Sequence, residues 1–160
     1  MDPRRLRAWR ASSYEAAGAV ARIGRRSAAI DALLRRMGVR AAAFVGAWNP
    51  GGRRVAAGLN RIAGRRLAEA ARRLVCRAGH GGFTRDDRRW HHRRSESRDP
   101  TKAWREAHLL IGVPPGRAVV LARRARQGGL VLVRIGAPAR LVLLGPWGAV
   151  SDRRGRAASR

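Results

Sequence analysis

The chain has 160 residues, enough for one domain with a real core and too few for two ordinary ones. Its hydrophobic share, 45%, is that of a globular chain and excludes wholesale disorder. The charge is abnormal: 36 Lys+Arg against 10 Asp+Glu give a formal net charge of +26. Such a molecule repels itself and draws nucleic acid, anionic lipid and acidic proteins without selectivity.

Lys102 is the only lysine, the preference for arginine that GC-rich coding imposes. A single cysteine, Cys76, leaves no internal disulfide and fits a reducing compartment. No apolar run approaches the ~18–20 residues of a membrane span, so no transmembrane segment is expected. Arg4, Arg5, Arg7 and Arg10 interrupt any signal-peptide core. The Arg-rich, acid-poor start resembles a transit peptide only faintly, and the expected localisation is cytoplasmic.

In chain order, residues 1–11 read as a basic tail. Ser12 to Glu15 offers a capping box. Ala16, Val20, Ile23, Ser27, Ile30, Leu34 and Met37 then share one helical stripe, closed by Gly38. Ala41–Trp48 reads as a buried strand that turns at Asn49-Pro50-Gly51-Gly52. A second helix is expected over about 55–75, with Leu59, Ile62, Ala63, Leu67, Ala70 and Leu74 facing inward. Gly79-His80-Gly81-Gly82 reads as a loop, and the polar stretch 83–99 as a flexible insertion.

Asp99-Pro100 offers a helix start, and a strand follows over 107–113. Pro114-Pro115-Gly116 turns the chain into a third main helix with Val119, Ala122 and Ala125 inward. Runs 130–135 and 141–144 form a hairpin around Gly136-Ala137-Pro138-Ala139. Residues 146–160 read as a second basic tail. The expected fold class is α/β (α+β): a single domain over 12–145, with a small mixed sheet of about four strands, three main helices and a C-terminal β-hairpin.

Several blocks carry a family likeness. Phe44-Val45-Gly46-Ala47-Trp48-Asn49-Pro50 comes first, then Leu59-Asn60-Arg61, Gly79-His80-Gly81, and Glu106 before Leu109-Leu110-Ile111-Gly112. Leu121 to Gln127 and Leu141-Val142-Leu143-Leu144 complete the series. In order and spacing these resemble the bacterial family called domain of unknown function 3293, over roughly residues 41–145. The resemblance implies an α/β fold and no particular activity. The chain departs from the family pattern at Ala125, where Phe is usual, and at Gly128-Gly129, where Asn-Ala is usual.

Asn49, Glu106 and Gln127 stand at strand or helix ends, which gather on one edge of open α/β sheets and bind ligands there. The plainer alternatives are a turn residue, an ion-pair partner and a helix cap. Cys76, His80, His91, His92 and His108 are zinc-ligand types, but without a C-x₂-C pair no metal site and no cofactor is expected. No nucleophile elbow, Walker A loop or complete G-x-G-x-x-G is present, so catalysis is not the leading expectation. Ten adjacent Arg-Arg pairs, with Trp90, Arg93 and Arg94 in one basic stretch, make nonspecific nucleic acid the alternative partner. The leading expectation is a binding or accessory module; an enzyme using Asn49, Glu106 and Gln127 ranks third.

Overall fold

The computed structural model describes residues 3–49, 55–82 and 105–145. The expected insertion at 83–99, the Asp99-Pro100 helix start, Trp90, Arg93, Arg94, His91, His92 and the tail 146–160 lie outside the described residues. Among the described residues four helices pack on one seven-stranded sheet, ordered β2-β1-β4-β5-β3-β6-β7. The helices are α1 (Pro3–Ala11), α2 (Ala28–Arg36), α3 (Ala57–Ala70) and α4 (Pro115–Arg124). The strands are β1 (Ser13–Ala16), β2 (Ala19–Arg22), β3 (Ala41–Gly46), β4 (Cys76–Gly82), β5 (Arg105–Ile111), β6 (Gly129–Arg134) and β7 (Arg140–Leu143). All six strand pairings are antiparallel where a mixed sheet was expected, and the expected count of about four strands understates the seven.

The sheet curls until its edges meet. Ile23, past the end of β2, bridges Ala139 before β7, and Gly24 N–H donates to the Ala139 carbonyl at 2.8 Å. One face is thus turned inward around α2, and α3 and α4 cover the other. Central β3 alternates between them. Ala42 and Phe44 join Ile30, Leu33, Leu34 and Met37 inside, while Ala43, Val45 and Ala47 join Leu67, Ala118 and Leu121 outside. Burial on both faces explains why β3 reads as an unbroken apolar run.

Residues 12–37 are not one helix. Ser13–Ala16 and Ala19–Arg22 form a hairpin whose turn residues, Ala17 (φ 48°) and Gly18 (φ 77°), both take the positive φ of a tight two-residue turn. The four-three spacing of Ala16, Val20 and Ile23 arises by coincidence. Ser27, rather than Ser12, caps a helix here, accepting from the Ile30 N–H at 3.3 Å. Ser12 instead donates to the Ala8 carbonyl at 2.8 Å, at the end of the α1 helix that replaces the expected tail. Gly38 (φ 68°) closes α2 as expected: its N–H bonds Arg35 and that of Val39 bonds Leu34.

Two further expectations change. On α3, Leu59 and Ile62 are exposed (58% and 39%), and Ala70 is exposed too; the buried positions are Asn60 and Leu67, with Ala71 buried just past its end. Gly79–Gly82 belongs to β4, paired on both sides. Its glycines mark close approach: a Cβ on Gly79 would strike the Glu15 carbonyl, and one on Gly81 would lie 2.6 Å from His108 Cε1.

Candidate functional site at the mouth of the sheet

β3 and β4 end, and β1, β5 and β6 begin, at one end of the curl, called here its mouth. Strand register sets what stands there. On the inner face one row across the sheet is Ala16, Gly79, His108, Gly46, and the next is Tyr14, Gly81, Glu106. Because side chains alternate along a strand, Glu106, His108 and Leu110 share that face.

Beyond β3 the chain turns at Asn49, which adopts φ 49°, a left-handed conformation that asparagine tolerates better than most residues. Buried Asn60 on α3 clamps it from both sides. The Asn49 N–H donates to Asn60 Oδ1 at 2.8 Å, and Asn60 Nδ2 donates to Asn49 Oδ1 at 3.2 Å. Val55 N–H donates to the same oxygen at 3.2 Å, and Asn49 Nδ2 donates to Glu106 Oε1. Gln127 Nε2 donates to the Trp48 carbonyl at 3.1 Å, and the Gln127 amide lies next to Gly46.

The three residues picked out from sequence therefore meet. Asn49 and Glu106 bond directly, and Gln127 holds the residue before Asn49. Part of this is structural. The Gln127 N–H caps α4 by bonding the Ala122 carbonyl at 2.9 Å, and Arg126 before it takes φ 54°.

Tyr14 and His108 stand behind this node, stacked at 5.9 Å, with the Phe44 ring edge-on to His108 at 5.2 Å. His108 is 9% exposed, and its Nε2 is buried without a hydrogen-bond partner. Burial, together with the nearby His80, pushes its pKa down to about 4, so the ring is neutral at pH 7. Burial also raises the Tyr14 pKa, and the Glu106 charge adds to that shift; the Tyr14 hydroxyl donates to the Trp9 carbonyl at 3.1 Å.

Comparison with known proteins finds no matching family model, curated protein or solved structure.

Sequence reasoning missed three residues of the mouth. Asn60 stands in the Leu59-Asn60-Arg61 block of the likeness but was given no role, because Leu59 and Ile62 look like better core residues. Tyr14 was absorbed into a capping box. His108 was weighed only as a metal ligand, although its place two residues after Glu106 in a strand puts both on one face. Of the zinc-ligand types among the described residues, register puts Cys76 and His80 on the outer face, where His80 Nε2 lies 2.8 Å from Glu15 Oε2, and His108 on the inner. Among the described residues no group of three or more potential metal ligands forms, and no helix is long and apolar enough to cross a membrane.

Proposed function

We propose that this chain is a ligand-binding module whose site is the mouth of the curled sheet, with Asn49, Glu106 and Gln127 at its rim and Tyr14 and His108 behind them. The observation that supports this reading most is the convergence of polar side chains from four separate parts of the chain beside a buried imidazole nitrogen with no partner. An unsatisfied buried polar atom costs about 1–3 kcal/mol and is uncommon in folded proteins, so this nitrogen calls for a partner. The residues that carry the likeness to domain of unknown function 3293 include Asn49, Asn60, Glu106 and Gln127, so the same node is what a diverged member of that family would retain.

Glu106→Gln tests the reading. Glutamine still accepts from Asn49, so the melting temperature of the ligand-free protein should stay within a few degrees. In a thermal-shift screen of small polar compounds, those that stabilise the wild type should lose that effect in Glu106→Gln. Shifts of equal size in both proteins would place binding elsewhere and sink the proposal.

The charge supports a second reading, nonspecific nucleic-acid binding. The described carboxylates are engaged within the protein: Glu15 by His80, Asp31 by Arg26, Glu69 by Arg72 and Glu106 by Asn49. Among the described residues, exposed arginines stand on all four helices, among them Arg10, Arg36, Arg65 and Arg124. Duplex DNA binding in dilute salt should then weaken by about 0.9 log units per log unit of salt for each phosphate engaged. Binding that survives physiological salt would raise this reading above the first.

A further inference from the structure

The mouth is crossed by a side chain from outside the sheet. Trp9, near the end of α1, lies against Gly128 and Gly129: a Cβ on Gly128 would come within 3.0 Å of Trp9 Cη2, and one on Gly129 within 2.9 Å of Cζ3. Gly129 opens β6 on the inner face, in alternation with inward Val131 and Val133. The Trp9 carbonyl also receives the Tyr14 hydroxyl of β1. Between β1 and β6 the sheet places β4, β5 and β3, so Trp9 reaches over the mouth from one side to the other. The Gly128-Gly129 pair, a departure from the pattern of the resembled family, is what gives the indole room.

The inner face nearby is lined by Gly46 and Gly79 on either side of His108, and by Gly81. The backbone carbonyls of His80 and Glu15 favour a proton on the His108 ring. Nε2 has no hydrogen-bond partner, and in the tautomer that carries its proton on Nδ1 it presents a bare lone pair. Only a hydrogen-bond donor satisfies it. An anion would be repelled by the lone pair and by the Glu106 carboxylate. A cation would enter a buried site in a molecule of net charge +26 and would lose its hydration.

We infer that the mouth is a lidded site for a small neutral ligand that donates an N–H or O–H to His108 Nε2, with Trp9 of α1 as the lid. This rests on the reading of the mouth as a ligand site and adds the ligand's chemistry and its gate.

The test uses the full chain as wild type, Trp9→Ala and Gly128→Val, the last of which pushes the indole off without altering it. Diethyl pyrocarbonate, which acylates neutral imidazole, is followed at His108 by peptide mass spectrometry. His108 should react about tenfold faster in both variants than in the wild type, with cooperative unfolding retained. In parallel, the Nε2 nitrogen resonance is titrated with acetamide and phenol as neutral donors, and with acetate and tetramethylammonium as controls. The donors should move it and the ions should not.

Equal acylation rates in all three proteins would remove the lid, and a resonance that no probe moves would mean that water alone serves Nε2. If Trp9→Ala does not fold, Gly128→Val decides. Thermal shifts that depend on Glu106 while His108 stays silent would overturn this inference and leave the broader ligand-site reading standing.

Discussion

The inner face of the curled sheet has two halves with the same backbone and opposite contents. Around α2 the rows are Leu110, Phe44 and Val131, sealed by Leu33, Leu34 and Met37. Polar atoms in that half are satisfied: buried Asp31 accepts from Arg26 Nε and from the Gly136 N–H, both at 3.0 Å, and its carboxyl is held below the usual range chiefly by the Gly136 bond. One row further toward the mouth, glycines replace the aliphatics, and the one large side chain in the row, His108, leaves a nitrogen unsatisfied. The first half does what a core must. The second gives up packing and hydrogen bonding that the same strands could have supplied, and proteins tolerate such local inconsistency chiefly at functional sites.

The comparison breaks most visibly if the α2 half is not the stabilising one. Leu34 is fully buried, so Leu34→Ala should cost about 2–5 kcal/mol in chemical denaturation. A cost below ~1 kcal/mol would show that α2 is peripheral.

The mouth should declare itself through pH. His108 has a folded pKa of about 4 against an ordinary 6.5, so the unfolded chain takes up the proton first as pH falls. Stability is therefore full above pH 6.5 and declines toward pH 4, by roughly 3 kcal/mol at most. The charged or titratable groups around it are Tyr14, Glu106, and Glu15 with His80 on the opposite face. His108→Phe should flatten this decline, leaving the loss below pH 4 that comes from Asp31, whose lowered pKa stabilises only while it is ionised. An unchanged profile would mean that another group carries the acid sensitivity.

These two halves were unequally legible in the sequence. The β3, β6 and β7 runs and the proline start of α4 could be read because apolar side chains and Gly/Pro punctuation are local signals. β4 could not, because its identity as a strand depends on glycines that Tyr14, Glu15 and His108 require from across the sheet. The β1–β2 hairpin was lost for a related reason: short alanine-rich strands fit either period, and the Ala17-Gly18 turn lacks the usual Asn-Gly. Asn49 and Glu106 were picked out as strand-end residues by a rule for open α/β sheets, and they meet because β3 ends where antiparallel β5 begins. Asn60 was not, since a buried amide has no apolar signature.

A smaller contrast separates the two helix ends. α2 closes on Gly38, whereas α4 closes on Arg126 in the same left-handed conformation. Gly38→Ala should therefore destabilise by about 1 kcal/mol, and Arg126→Gly should stabilise by a similar or smaller amount. Equal effects of one sign would mean that local backbone strain does not differ between the two caps.

The most direct test of the account is the protonation state of His108, read from its imidazole nitrogens by NMR between pH 7 and pH 4. The account predicts a neutral ring at pH 5.5 with the proton on Nδ1 and a bare Nε2. A ring that carries its proton on Nε2, or that is already charged well above pH 5.5, would show that the nitrogen is satisfied by solvent or by the chain itself, and the mouth would lose its claim to be a binding site.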